Sequence, residues 1–127
     1  MRESHGARDQ VEALVRFRQI CLALPESTET GSWGHPNFRA GKRTFAAWEW
    51  IRGRPSFAFR LGAEEAGAFL LQHDDAFATP YGKGQWISVW ADGEPDWPFL
   101  HELAERAYLS VALKRMVAVL ERRPADE

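Results

Sequence analysis

The side chains best suited to binding chemistry in this 127-residue chain are concentrated in one stretch, residues 38–60. Arginine binds phosphate oxygens through its planar guanidinium, and it also stacks on aromatic rings. Aromatic side chains on an exposed sheet can stack nucleobases. The stretch is therefore a candidate surface for binding nucleic acid, and its candidate residues are Arg39, Lys42, Arg43, Trp48, Trp50, Arg52, Arg54 and Arg60.

The charge distribution singles out the same stretch. The whole chain has a formal charge of −2 and a sequence pI of about 6.1, which argues against a general nucleic-acid coat. Residues 31–60 nevertheless carry six basic side chains against Glu49 alone, so this segment is +5 in an otherwise acidic chain. Such an asymmetry indicates either a binding surface or ordinary solvated charges on a hairpin.

A second candidate element is the segment PYGKGQW (80–86). Two glycines flank Lys83, so that backbone N–H groups and the lysine ammonium could be presented to an anion. The segment lacks the GxxxxGK[ST] spacing of a P-loop. A flexible turn that leads into a strand is the alternative interpretation.

The tryptophans form a third set. Period-2 alternation places Trp86 and Trp90 on one face of their strand, and it places Trp48 and Trp50 on one face of theirs. A face with four indoles exceeds what a soluble monomer usually exposes. Three alternatives stay open: the face assignment is wrong, a homodimer or other parts of the chain cover the rings, or the rings line a groove for a small ligand or a peptide.

Metal and covalent chemistry find little support in the sequence. The four histidines lie far apart, with no HxH, HxxE or HExxH spacing. Cys21 falls on the apolar stripe of a helix, where a buried and inert thiol is expected. Adjacent carboxylates such as Glu64 and Glu65 diverge in direction and form no acid/base pair. We therefore predict no catalytic residue, no metal site and no cofactor.

Length and composition indicate one globular domain over residues 1–127. Hydrophobic residues make up 45% and charged residues 27%, both ordinary for such a domain. No apolar run approaches the ~18 residues that cross a bilayer, and the polar first ten residues lack a signal-peptide core. One cysteine excludes an internal disulfide and fits a reducing compartment. These features predict a cytoplasmic protein that does not associate with membranes.

Apolar periodicity predicts helices at 8–24, 63–73 and 97–123, the last of them divided near residues 108–110. Alternation and turn residues predict an extended entry at 33–40 and strands at 43–51, 56–61 and 86–90, with a polar connector at 26–32 and a frayed tail at 124–127. The order helix, strands, helix, strands, helices is typical of a two-layer α+β domain, with an antiparallel sheet and helices on one of its faces.

Alternation within the strand at 43–51 assigns its residues to the two faces of that sheet. Phe45, Ala47 and Ile51 point one way, with Phe45 and Ala47 expected in the core. Thr44, Ala46, Trp48 and Trp50 point the other way. The face away from the helices is then expected to carry Trp48, Trp50, Trp86, Trp90 and Arg60.

Several short motifs follow one another in the order LALPE (22–26), GHPNFR (34–39), GK (41–42), FA (45–46), FRL (59–61), PYGKGQW (80–86) and ERAY (105–108). Over roughly residues 14–120 this set resembles the MmcQ/YjbR-like family of small bacterial proteins. The resemblance implies a compact α+β fold, comparable with secretion-chaperone-like and frataxin-like domains. It also implies DNA binding, by analogy to a double-wing arrangement, and no catalytic residues. WEW (48–50) departs from the aliphatic or threonine-rich residues frequent there in the family.

The leading hypothesis from the sequence is a non-enzymatic, cytoplasmic binding module of the MmcQ/YjbR type with DNA as its partner. The alternative hypothesis is a small-molecule or peptide binder, or an accessory chaperone-like protein, that uses the tryptophan face. A homodimer is a further expectation, because it would cover exposed indoles.

Overall fold

A computed structural model shows a six-stranded antiparallel sheet with helices packed on one face. The structure describes residues 2–32 and 35–123, and the side chains of residues 10–31 and 35–123. In chain order the elements are α1 (Arg2–Leu22), β1 (Ser27–Ser32), β2 (His35–Ala40), β3 (Arg43–Ile51), β4 (Arg54–Arg60), α2 (Ala63–Gln72), β5 (Ala76–Ala78), β6 (Trp86–Trp90), α3 (Trp97–Val111) and α4 (Lys114–Glu121). The strand order is β1-β2-β3-β4-β6-β5. The predicted α+β fold with two layers is confirmed.

The face of the sheet under the helices carries an aromatic core. The ring centroid of Phe17 in α1 lies 5.4 Å from that of Phe38, 4.7 Å from Phe57 and 5.8 Å from Phe59. All four side chains are fully buried. Burying a side chain of this size stabilises a fold by about 1.5–3 kcal/mol relative to leaving it exposed. Alternate residues of β2 and β4 therefore hold α1 against the sheet.

Helix α3 packs on the same face. It begins where the carboxylate of Asp96 accepts a hydrogen bond from the backbone N–H of Phe99 at 3.3 Å. The ring of Tyr108 lies edge-on to Phe45 at 5.5 Å, and its hydroxyl donates to the carbonyl of Pro25 at 2.7 Å. An extended pair of residues separates α3 from α4, so the predicted division of this span into two helices is confirmed.

The pairing of β2 with β3 contains a β-bulge. Phe38 pairs with Ala46 whereas Arg39 pairs with Thr44, so Phe45 is an extra residue without a partner across the ladder. A bulge of this kind places two successive side chains on one face and shifts the alternation of the strand beyond it. Phe45 is in the core as predicted, with no exposed surface.

The bulge makes the predicted faces of β3 wrong from Ala46 onwards. Ala46 and Trp48 belong to the core on the helix side, where Trp48 is 2% exposed and its ring lies 5.6 Å from that of Phe57. The predicted exposed face of four indoles therefore does not exist. The residues of β3 that instead lie on the open face are Ala47, Glu49 and Ile51.

The predicted alternation of the neighbouring strands is confirmed. On the helix side Phe57 pairs with Val89, and on the open side Ala58 pairs with Ser88. Arg60 pairs with Trp86 and Ser56 with Trp90 on that same open side. The open face thus keeps two of the four predicted tryptophans.

Two strands of the structure are absent from the sequence-based prediction. β1 occupies the predicted connector, and its helix-side residues are polar. The hydroxyl of Ser27 donates to the carbonyl of Cys21 at 2.8 Å, and Glu29 accepts two hydrogen bonds from Arg18 at 2.7 and 2.9 Å. An edge strand with polar residues on both faces gives no apolar alternation. β5 has three residues, too few to show any period.

Part of the prediction lies outside the described residues, namely the first two residues of the extended entry (33–34) and the tail (124–127). None of the described helices is both long enough and apolar enough to cross a membrane.

Candidate functional site: a cleft on the open face of the sheet

The open face of the sheet, opposite the helices, holds a cavity of about 780 Å³, which we call the sheet cleft. A volume of this size is typical of small-molecule sites. Its lining comes from β2, from β3 and the turn that follows it, and from the segment between β5 and β6: His35, Asn37, Thr44, Ala47, Glu49, Trp50, Ile51, Arg52, Thr79, Pro80, Tyr81, Gly82 and Trp86.

Strand register builds the floor of the sheet cleft. Beyond the bulge, Ala47 and Glu49 lie on the open face, and Asn37 of β2 pairs with Ala47. Glu49 pairs with Ser56 of β4, whose side chain is fully buried although the helical core lies on the other face. Short side chains around one carboxylate leave depth for a ligand above them.

A tightly turned segment between β5 and β6 forms one wall. The N–H of Gly82 donates to the carbonyl of Thr79, and the N–H of Gln85 donates to the carbonyl of Gly82, each at 3.0 Å. The hydroxyls of Thr79 and Ser88 share a buried hydrogen bond of 2.7 Å. A Cβ on Gly82 would lie 2.9 Å from Cβ of Trp86 and 3.0 Å from the carbonyl oxygen of Thr79. The wall is therefore closely fitted to β6.

Tyr81 lies at the mouth of the sheet cleft, and its side chain is fully exposed. Its backbone φ of 62° is in the left-handed region, which costs a residue other than glycine roughly 1–2 kcal/mol. Strained residues of this kind tend to cluster at functional sites. An aromatic ring held out into solvent in a strained conformation is available for contact with a ligand.

Glu49 carries the negative charge of the cleft floor. Its side chain is half-buried, and this burial raises the pKa of the Glu49 carboxyl, while the nearby charge of His35 acts in the lowering direction. No described residue donates a hydrogen bond or an ion pair to this carboxylate. The hydroxyl of Ser56 donates at 3.2 Å to the backbone carbonyl of Glu49 instead. Among the described residues the carboxylate thus has no hydrogen-bond partner, and a ligand could supply one.

A second cavity of about 530 Å³ adjoins the sheet cleft and shares Ile51, Arg52 and Pro80 with it. Phe77 of β5 and Trp90 of β6 contribute aromatic surface to its lining, and their ring centroids lie 4.5 Å apart. The open face therefore offers a polar compartment around Glu49 and an aromatic compartment beyond Pro80.

Arg54 forms a stack beside these cavities. Its guanidinium lies 3.9 Å from the ring centroid of Trp90 and donates two hydrogen bonds to Asp92, at 2.9 and 3.0 Å. The hydrogen bonds from Arg54 lower the pKa of the Asp92 carboxyl. The charge of Arg54 is therefore matched within the chain, which makes this residue a poor phosphate contact.

Three of the predicted site residues come together in the sheet cleft: Trp50, Arg52 and Trp86. Trp50 lies at the rim, 42% exposed, with its ring edge-on to that of Trp48 at 6.1 Å. Trp48 itself is in the core, so it is not available to a ligand on the open face.

The structure divides the predicted cationic stretch between the two ends of the sheet. Arg39, Lys42 and Arg43 surround the β2–β3 turn, and we call this group the basic turn. Arg52 lies in the β3–β4 turn at the other end, roughly 25 Å away along a nine-residue strand. All four side chains are exposed. They therefore do not form one continuous patch.

The two remaining predicted residues lie elsewhere. Arg60 donates to Gln85 at 2.8 Å and to Ser110 at 3.2 Å, and partial burial lowers its pKa, with a smaller effect from Arg43. Lys83 is exposed on the β5–β6 segment, with a backbone φ of 56°, and it does not line the sheet cleft.

Sequence reasoning assigned no role in a site to four polar residues of the cleft: His35, Asn37, Thr44 and Glu49. Two of these four residues lie in β2 and two in β3, and their spacing matches no motif. Tyr81 lies within the candidate segment PYGKGQW (80–86), although it was not itself a candidate residue. One feature of the sequence points to Glu49. Alternation within β3 places Ala47 and Glu49 on the face opposite Trp48 and Trp50. Only the bulge shows that this face of β3 is the open face of the sheet.

Within residues 10–31 and 35–123, no three His, Cys, Asp or Glu side chains come together as a metal site. Cys21 is buried in the core, and this burial raises the pKa of its thiol well above the ordinary value. A buried neutral thiol is a poor nucleophile.

Sheet and cleft together define an α+β protein of two layers, with helices on one face and a lined cavity on the other. A family model described as YjbR matches residues 22–110, and the chain belongs to the YjbR family. The resemblance to the MmcQ/YjbR-like family is thereby confirmed. The family name states neither a ligand nor an enzymatic activity.

Solved structures that are similar to this chain include the following two. A Deinococcus radiodurans protein with a DUF419 domain is 23% identical, with a TM-score of 0.61, and the match covers 87% of this chain and 88% of that protein. A Pseudomonas syringae protein is 15% identical, with a TM-score of 0.56, covering 67% of this chain and 86% of that protein. At these identities the similarity shows the fold alone. Comparison with curated proteins gave no match.

Proposed function

We propose that this YjbR-family protein is a non-enzymatic binding module whose ligand site is the sheet cleft, and that its ligand is a small organic molecule. The observation that carries the proposal is the composition of the cavity, whose lining combines the Glu49 carboxylate and other polar side chains of β2 and β3 with the aromatic side chains of Trp86 and Tyr81. Cavities of this volume with a few convergent polar groups are the usual form of a small-molecule site.

A binding role is favoured over catalysis by the polar contacts inside the cleft. None of the described lining residues forms a hydrogen bond between a nucleophile and a base. The hydroxyl of Thr79 is engaged with Ser88, behind the wall. An acyl-transfer or hydrolytic site requires such a pair within hydrogen-bond reach.

The test is a ligand screen read by tryptophan indole resonances in two-dimensional NMR. A genuine ligand should shift the Trp86 indole N–H and should bind the Trp86→Leu variant at least about tenfold more weakly, because a large contact surface is lost. Trp97→Leu is the matched control, since Trp97 is also half-buried but packs against Phe57 on the helix side. A ligand that loses affinity equally in both variants would argue against the cleft.

A second candidate function is duplex DNA binding through the basic turn. Its three side chains are exposed, and in the described part of the chain none of them forms an ion pair. Exposed cations at one end of a sheet can contact phosphates and release counterions. The overall charge of −2 opposes binding, so the proposal requires the local cluster to dominate at low ionic strength.

Binding of a fluorescent duplex should be measured across a salt series for the wild type and for the Arg39→Ala/Lys42→Ala/Arg43→Ala variant. The variant should reduce the slope of log K against log salt by about 2–3, since each phosphate contact contributes about 0.9. Arg52→Ala, at the opposite end of the sheet, is the control and should change the slope by less than about 1. Salt-independent or absent binding would exclude the DNA function.

A further inference from the structure

We propose that the ligand of the sheet cleft carries an organic ammonium group, which binds the Glu49 carboxylate in the cavity that Trp86 and Tyr81 also line. This inference rests on the proposed function and adds the chemical class of the ligand. It follows from three independent features of the cleft: an unmatched carboxylate, aromatic rings around it, and the strained conformation of the residue at its mouth.

The first feature is the charge of the floor. Glu49 is half-buried, and no described side chain bonds its carboxylate. Elsewhere in the described residues, carboxylates such as Glu26 and Glu29 are paired with an arginine, at 2.8 Å and 2.7 Å respectively. A partly buried carboxylate attracts a cation more strongly than an exposed one, because water screens it less. Glu49 therefore lacks the kind of partner that the ligand would supply.

The second feature is the set of aromatic side chains. Trp86 and Tyr81 line the cavity that contains Glu49, whereas Trp50 borders it with its ring against Trp48 on the helix side. The negative face of an aromatic ring attracts cations, and recognition of alkylated ammonium groups is a frequent use of this interaction. A carboxylate with several rings in one cavity combines charge attraction with apolar contact for the alkyl groups of such a cation.

The third feature is Tyr81. The ring is fully exposed while the backbone of Tyr81 is in the left-handed region. Lys83 and Gly84, two and three residues later, also have left-handed backbone conformations. The wall behind it is fixed by the bond between Thr79 and Ser88. The segment thus presents the tyrosine at the cleft mouth, where contact with a bound cation would bury it.

The guanidinium of Arg52 and the imidazole of His35 also line the cleft, and a positive charge on either would favour an anion instead. Both are exposed, and Arg52 lies in the turn at the rim. Solvent screens their charges more than that of the half-buried Glu49. The buried charge on the floor therefore determines the sign of the ligand.

The experiment compares three probes of nearly equal shape on the full chain: choline, the neutral 3,3-dimethyl-1-butanol and the anionic 3,3-dimethylbutanoate. Affinities are measured from indole and amide NMR shifts. Choline should bind at least about tenfold more tightly than the neutral probe, and Glu49→Gln should remove that preference. Tyr81→Ala, at a fully exposed position that does not disturb the fold, should weaken choline about threefold or more.

Two exposed control variants outside the sheet cleft, Glu94→Gln and Leu71→Ala, should bind choline as the wild type does. Equal binding of the neutral probe, tighter binding of the anionic probe, or unchanged choline affinity in Glu49→Gln overturns the ammonium inference while leaving the cleft as a ligand site. If the Trp86 indole responds to none of the three probes and to no compound of the wider screen, both the inference and the proposed function fail.

Discussion

The two faces of the sheet are built from the same strands and contain the same residue types, but one face is packed as a core and the other borders a cavity. On the helix side, Trp48 is almost fully buried between strands and helices, and its ring contacts Phe57. On the open side, Trp86 is half-buried and borders a cavity. One face has side chains long enough to meet a second layer, whereas the other has alanine and serine beneath isolated large rings.

This difference shows that residue type alone does not distinguish a core tryptophan from a binding tryptophan. What separates them is the face of the sheet on which the alternation of the strand places each side chain. In β3 this assignment depends on one bulged residue, Phe45. A comparison of matched substitutions on the two faces therefore tests whether the faces are distinct in energy as well as in shape.

The largest effect is expected for Trp48→Ala. Removing a fully buried indole should lower the free energy of unfolding by about 3–5 kcal/mol, through lost transfer energy and the cavity left behind. Trp86→Ala should cost less, about 1–2 kcal/mol, because that ring is only partly buried and borders a cavity. Urea unfolding followed by circular dichroism measures both. Equal costs would mean that the open face is packed as a core.

Most of the fold could be predicted from the sequence because the helices and β3, β4 and β6 carry clear periods. The bounds of β3 agree with the predicted 43–51, and β4 and β6 alternate as predicted. The faces of β3 could not be predicted, because a bulge is a property of strand pairing. The run FAAW is equally compatible with Trp48 on either face of the sheet. The polar edge strand β1 likewise exists only through its pairing with β2.

The candidate site was predictable only in part, for a related reason. Trp50, Arg52 and Trp86 attract attention by residue type, and all three line the cleft. Glu49 and His35 are ordinary polar residues until β2 and β3 pair and place them on one floor. The basic residues of 38–60 were predicted to form one surface, because the sequence alone does not show that they lie at opposite ends of the sheet.

A pair of glycine substitutions gives the next largest difference between the faces. Gly82→Ala should destabilise by about 1–3 kcal/mol, because its Cβ would meet Cβ of Trp86 at 2.9 Å and the carbonyl oxygen of Thr79 at 3.0 Å. Gly67→Ala in α2 meets no atom within 4 Å and should stabilise by about 0.5–1 kcal/mol. Thermal unfolding of the two variants checks the opposite signs. Stabilisation by Gly82→Ala would contradict the close fit of the cleft wall.

The buried hydroxyl pair of the open face should give a non-additive effect of similar size. Ser88→Ala leaves the hydroxyl of Thr79 without its 2.7 Å partner and should cost about 1–3 kcal/mol. The double variant Thr79→Val/Ser88→Ala removes both groups and should recover most of that loss. A double-mutant cycle by urea unfolding measures the coupling. Strict additivity would show that this bond does not hold the wall to β6.

The smallest effect concerns two glutamates whose pKa values shift in opposite directions on the two sides of the molecule. Burial raises the pKa of Glu49, so the folded state holds this proton more tightly than the unfolded state, and stability falls as pH rises through the glutamate range. Hydrogen bonds from Arg115 lower the pKa of Glu26, so its contribution is present at neutral pH and is lost as pH falls.

Glu49→Gln should therefore be more stable than the wild type near about pH 7, with the difference vanishing near about pH 4, whereas Glu26→Gln should be less stable near pH 7 and converge on the wild type in acid. Chemical unfolding of the three proteins near about pH 7, pH 4 and pH 3 provides the comparison, because the lowered pKa of Glu26 places its convergence below the ordinary glutamate range. A carboxylate that lowers stability and has no partner among the described residues is the pattern expected of a binding group, because the ligand supplies the missing interaction. A loss of stability in Glu49→Gln at neutral pH would show that Glu49 stabilises the fold. Glu49 would then not be a binding group, and the proposed difference between the two faces would be wrong at this residue.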